Sequence, residues 1–320
     1  MEKKKNDFIA QGSILAVASI LVRVMGMIYR IPMTAIIGDK GNGFYSYAYS
    51  VYTILLLLSS YSLPLAVSKM VSAKAQLGQW RNVKRVFICA IAFAIGIGTT
   101  FGLIVLIGAQ FFTRVFFHSE LAAIALRFMA PTILIMALLG VFRGFFQGLQ
   151  NTLPTAVSQI VEGLINAIMS VVFAYFLFDF GHGMDAASGT TDLGYAWGAA
   201  GGAIGTGAGA LAGLIFCFIL FVAYRKILAV NISRDKTGTQ QEYGDIFRLM
   251  LSIALPVILS TALYNLIELV DGSLFNNIMA SKGMEDVKDS MWGAYNAKAL
   301  LLVHIPGSIS SAMAVSLVPT

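Results

Sequence analysis

Long apolar runs alternate with short polar intervals along the whole chain. Eight runs, at 8–37, 44–69, 86–112, 122–147, 154–178, 194–224, 246–278 and 291–320, stand out. A helix needs roughly 20 apolar residues to cross a bilayer, so each run is expected to span. The predicted fold is therefore all-α: a polytopic membrane helix bundle of about eight transmembrane helices. The basic start, with Lys3, Lys4 and Lys5, resembles a signal peptide. The first run is too long for one and carries Arg23 and Arg30, so it is expected to remain as a helix. The turn at 38–43, G-D-K-G-N-G, is rich in residues that permit a tight reversal, and Pro64 is expected to kink the second helix. The longest polar interval, 225–248, divides the chain into a six-helix lobe at 1–226, a loop at 227–245 and the first two helices of a second, incomplete lobe at 246–320. A loose internal echo agrees with that division. G-F-Y-S-Y-A at 43–48 resembles G-A-Y-N-A-K at 293–298, and L-A-V-S at 65–68 resembles M-A-V-S at 313–316. Two copies of an even-numbered helix unit would run parallel.

Composition agrees: 58% of residues are hydrophobic and 12% charged, with a mean hydropathy of +0.78, outside the soluble range. The net charge of +6 comes from short basic blocks between apolar runs, which is a topology signal and argues against a nucleic-acid partner. Arg81, Lys84, Arg85, Arg143, Arg225, Lys226 and Arg234 join the N-terminal lysines on one side. Lys40, Arg114, Arg127, Lys282 and Lys288 fall on the other, so the N-terminus is expected in the cytoplasm. Cys89 and Cys217 sit in apolar runs and read as small core residues. Glycines at 194, 198 and 202, and at 201, 205, 209 and 213, recur every fourth residue, the spacing that brings helix backbones into contact in lipid.

Charges at membrane depth are the candidate chemistry. Arg23 and Arg30 stand two helical turns apart on one face. Intramembrane arginines are costly and usually face a cavity, where a guanidinium fork suits phosphate. Gln159, Glu162, Asn166 and Ser170 form a polar stripe on the fifth run. Glu268 and Asp271 on the seventh lie at a depth matching Lys298 on the eighth, so an ion pair among them is expected. Glu162, Glu268 and Asp271 are candidates to hold a coupling cation, H+ or Na+; no other cofactor is called for. D-K-T-G-T at 235–239 matches the phosphorylated aspartate of P-type ATPases, but its loop is far too short for the catalytic domains, and it reads as a solvated turn. No nucleotide loop, zinc signature or nucleophile elbow occurs, so no enzyme is expected.

F-R-G-F-F-Q-G-L-Q-N-T-L-P-T-A-V-S-Q-I-V-E at 142–162, R-V-M-G-M-I-Y-R-I-P at 23–32, L-P-L-A-V-S-K-M at 63–70 and the closing S-L-V-P resemble the stage V sporulation protein B and polysaccharide-export branch of the multidrug/oligosaccharidyl-lipid/polysaccharide (MOP) flippase superfamily. The resemblance implies two six-helix lobes around a central cavity in a bacterial cell membrane. It also implies alternating access that moves an undecaprenyl-pyrophosphate-linked sugar, such as lipid II, between leaflets, in the company of cell-wall synthesis proteins. Arg23 and Arg30 match the paired first-helix arginines of related lipid II flippases, although the spacing here is seven rather than six and Ile31 follows. Lys298 stands one turn before the position of their eighth-helix arginine, which is Leu301 here. On this likeness Arg23, Arg30 and Lys298 would bind pyrophosphate. Two rival readings are a cation-coupled multidrug exporter, which would favour acids in the cavity, and a non-transporting scaffold of a wall or sporulation complex.

Overall fold

The computed structural model describes residues 2–189 and 191–300, and every regular element among them is helical. In chain order these are α1 (Glu2–Leu56), a π-helical turn (Leu57–Tyr61), α2 (Leu63–Gln76), α3 (Trp80–Phe117), α4 (Ala122–Gly148), α5 (Leu153–Ser188), α6 (Leu193–Ser233), α7 (Tyr243–Ser281), α8 (Glu285–Ala294) and a second π-helical turn (Tyr295–Ala299). Six stretches among the described residues are long and apolar enough to cross a membrane. The first of them, Val17–Gln76, takes in most of the first expected run and all of the second. The eighth run lies outside the described residues from 301 onward, and with it Leu301, the M-A-V-S echo and the closing S-L-V-P.

The expected turn at 38–43 shrinks to one residue. Gly38 alone leaves helical geometry, at φ 64° and ψ −176°, and helix resumes at once. The two arms of α1 fold back on each other, because Arg23 and Tyr49 line the same cavity; a straight helix would hold them about 39 Å apart. Asn42 secures the corner, its buried amide donating to the Gly38 carbonyl at 2.8 Å and to Thr34 Oγ1 at 3.1 Å. Pro64, expected to kink the second helix, instead stands at the start of α2, just after the π-helical turn. Ser59 and Ser60 turn their hydroxyls onto the Leu56 carbonyl, and α2 then starts afresh with proline in its first turn, where the missing N–H is no loss.

The glycine stripes of α6 pack as their spacing predicts. A Cβ at Gly201 would overlap the Phe173 and Ala174 backbone, one at Gly205 that of Ser170, and one at Gly209 would lie 2.6 Å from the Glu162 carbonyl. Gly198 and Gly202 admit Ile37 and Met33 of α1 on the other face. Phe87, Phe142, Phe145 and Phe221 interlock α3, α4 and α6, with Ile246 and Met250 of α7 buried in the same core. Cys89 and Cys217 are free and buried there.

The polar interval at 225–248 is mostly helical, leaving only the link from Arg234 to Glu242 between α6 and α7. That link lies on α3. Asp235, expected in a solvated turn, is buried: its carboxylate accepts from the Arg81 backbone N–H at 2.9 Å and from Thr237 N–H and Oγ1 at 3.0 and 2.6 Å. It therefore caps the start of α3 from a distant part of the chain. At the other end of α3, buried Lys288 of α8 donates to the Phe117 and His118 carbonyls at 2.9 and 2.8 Å. Burial lowers the Lys288 ammonium pKa and raises that of its neighbour Asp289. An anion at the N-terminus and a cation at the C-terminus both complement the helix dipole.

Candidate functional site

One face of the first arm of α1 presents Arg23, Gly26, Met27, Arg30 and Met33 to a cavity of about 330 Å³. Spacings of three and four residues along an α-helix produce that stripe. Asn42, Tyr45, Ser46 and Tyr49 of the second arm face them, and Glu268 of α7 and Asn296 of the second π-helical turn complete the wall. Arg23 is exposed to the cavity and Arg30 half-buried beside it, and neither has an ion pair among the described residues. The lining therefore holds two cations and one carboxylate, Glu268, which accepts a long hydrogen bond from Ser50 at 3.4 Å.

The other expected site residues lie elsewhere. Lys298 does not pair with Glu268 or Asp271. It bridges to Asp39 at 2.7 Å, just past the corner of α1, and is exposed. Lys298 sits within the π-helical turn at Tyr295–Ala299, and the carboxylate it meets is Asp39 at the corner of α1 rather than the acids of α7. Asp271 is exposed and outside the cavity lining. Glu162 is bound by Arg143 at 2.6 Å, and Arg143 also donates to Ser158 at 2.8 Å. Arg143, placed by sequence among the cytoplasmic charges, is in fact buried at 9% exposure. The rest of the α5 stripe is spent on packing: Ser170 donates to Asn166 at 2.8 Å and to the Gly202 carbonyl at 3.3 Å, and Gln159 accepts from Ser19 at 3.5 Å.

Tyr45 and Tyr49 went unnoticed in sequence. Their rings stack at 5.8 Å, and Tyr52 follows at 5.9 Å from Tyr49. The spacing 45, 49, 52 on one helix face was the available signal. Among the described residues no cluster of His, Cys, Asp and Glu could hold a metal ion.

A sequence profile of the family described as "Polysaccharide biosynthesis protein" matches residues 8–320. The lipid II flippase MurJ of Bacillus subtilis (strain 168) is 26% identical over 319 residues, covering 96% of this chain and 56% of that protein. Stage V sporulation protein B of the same organism is 25% identical over 320 residues, covering 98% and 58%. The chain thus spans a little over half the length of these relatives. Among solved structures, a MOP superfamily transporter from Pyrococcus furiosus superposes with a TM-score of 0.59 at 15% identity, covering 97% of this chain and 68% of that one. A MATE structure in complex with MaD3S gives the same TM-score and identity, covering 97% and 65%. At this identity the structural likeness speaks for the fold.

Proposed function

This chain belongs to the polysaccharide biosynthesis protein family, a multi-pass membrane protein on the MOP transporter fold, and from that premise we propose that it moves a lipid-linked oligosaccharide across the bacterial cytoplasmic membrane. The substrate class is an undecaprenyl-pyrophosphate sugar, of which lipid II is one. The observation that carries this reading is the pair of arginines without carboxylate partners on one cavity wall. Two guanidinium groups can each offer a planar fork to a diphosphate, replacing the water and ion partners that the phosphates lose on entry. Tyr45 and Tyr49 opposite them supply flat faces with polar tips suited to sugar rings. Glu268, within the same cavity, is the group best placed to hold a coupling H+ or Na+. The excess of positive charge also weighs against an exporter of cationic drugs, which would favour the opposite sign.

The test is binding of undecaprenyl pyrophosphate by the purified protein, followed by leaflet exchange of a fluorescent lipid-linked sugar in reconstituted vesicles. Removing a charge-assisted hydrogen bond costs ~1.5–3 kcal/mol, so Arg23→Ala and Arg30→Ala should each weaken binding by roughly ten- to a hundredfold. Lys298→Ala should leave binding nearly unchanged, because its partner is Asp39. Unaltered binding and exchange in Arg23→Ala would overturn the proposal and favour a scaffold role.

A further inference from the structure

A second concavity, of about 260 Å³, lies where the start of α3, the end of α6 and the start of α7 meet. Its charged lining is Arg81, Lys84 and Arg85, with no carboxylate. The Arg85 guanidinium is held in place by the Gln241 carbonyl and Gln240 Oε1, both at 2.6 Å, and lies 5.3 Å from the Tyr243 ring centroid. These partners are neutral, so the charge stays uncompensated. Arg81 and Lys84 are exposed and make no ion pair among the described residues. Asp235, the carboxylate beside Arg81, is occupied by backbone N–H groups and by Thr237.

Apolar side chains join the cations in the lining: Ile88 lies one turn further along α3 and is 44% exposed, while Ile232 in the last turn of α6 and Tyr243 at the start of α7 stand level with the cations. Passing from Arg81 to Ile88 is passing from the end of a membrane-spanning helix into its apolar stretch. The pocket thus joins positive charge at the end of a membrane-spanning helix to the apolar side chain of Ile88 one turn deeper. A soluble anion would use only the first.

We propose that this pocket binds the headgroup of an anionic phospholipid, with an acyl chain along Ile88. Because its walls come from α3 on one side and from the link and α7 on the other, an occupant would hold the link onto α3. Each basic residue at a membrane surface contributes about 1 kcal/mol to such binding, so Arg81→Ala/Lys84→Ala should lower apparent affinity for phosphatidylglycerol by ~30-fold. The measurement is the Tm of the full chain in a zwitterionic detergent as lipid is titrated in. Phosphatidylglycerol should raise the Tm of the wild-type protein, while phosphatidylcholine and millimolar inorganic phosphate should not. Arg225→Ala/Lys226→Ala, which removes the same charge outside the pocket, should behave as wild type. Three results would each overturn the proposal: protection by inorganic phosphate, equal protection by phosphatidylcholine, or equal loss in the two double variants. Should Arg81→Ala/Lys84→Ala fold poorly, lipid retained by the wild-type protein through size exclusion, identified by mass spectrometry, decides the matter. Enrichment of phosphatidylglycerol over phosphatidylcholine supports the site, and parity overturns it.

Discussion

Arg143 and Glu162 show how a charge can mislead when only its neighbours in sequence are known. Five residues from the end of α4, Arg143 looks like a loop cation. In space it is buried, and Glu162 and Ser158 hold it. Removing one partner of such a pair leaves the other desolvated, whereas removing both can be nearly neutral. Glu162→Ala should therefore destabilise by ~1–3 kcal/mol, and Glu162→Leu/Arg143→Met should recover most of the loss, as read from the Tm in detergent. Recovery of stability by the double variant would mark the pair as structural; loss of transport in that stable variant would mark it as coupled to substrate movement. The two cavity arginines, by contrast, were legible, because helix periodicity alone puts residues 23 and 30 on one side. The partner of Lys298 was not. That depended on a π-helical turn, which leaves no mark in hydropathy, and on its meeting Asp39 from a distant part of the chain.

Helix termini in this protein are satisfied from far along the chain. Asp185 of α5 accepts from the Leu193 and Gly194 N–H groups at the start of α6, at 2.9 and 3.4 Å, as Asp235 does for α3. Backbone and hydroxyl donors hold the Asp235 carboxyl below the usual aspartate range, so folding with this contact is favoured by ionisation. The contribution is complete above the ordinary value of about 3.9 and disappears as the pH falls through the lowered folded-state value. Pepsin digestion across a pH series should leave the link between α6 and α7 intact down to that lower value and cut it below. Asp235→Asn should be cut at every pH that the enzyme tolerates. The apolar cores of the helices were readable as long runs, and the α6 glycines as a packing face. Their ends were not, because α3 begins and ends well outside its apolar run, at Trp80 and Phe117, in turns stabilised by residues that only the fold brings near.

At the scale of the molecule, α8 packs onto the corner of α1 with a repeated geometry. A Cβ on Gly43 would overlap the Asp289 backbone, and one on Gly293 would overlap that of Asp39. Each contact maps onto the other when residue numbers shift by 250, so the weak echo read at 43–48 and 293–298 is also a contact made twice in space. Tyr47 ties the seam to α3 and α7, stacking on Phe117 at 4.7 Å and donating to Asn276 at 3.0 Å. Everything on that side of the cavity hangs from Gly38. Its backbone lies where almost no residue but glycine goes, although a Cβ there would have room, with Tyr195 3.6 Å away. The obstacle to substitution is thus torsional and not spatial. Gly38→Ala should cost ~1–3 kcal/mol and weaken undecaprenyl pyrophosphate binding, since both cavity walls leave from this residue. Mirror inversion turns these torsions into those of an ordinary extended residue, so D-alanine introduced by semisynthesis should restore Tm and binding together. The width of the chamber would then be traced to one α-carbon, that of the glycine in α1 held at a torsion its L-configured neighbours avoid.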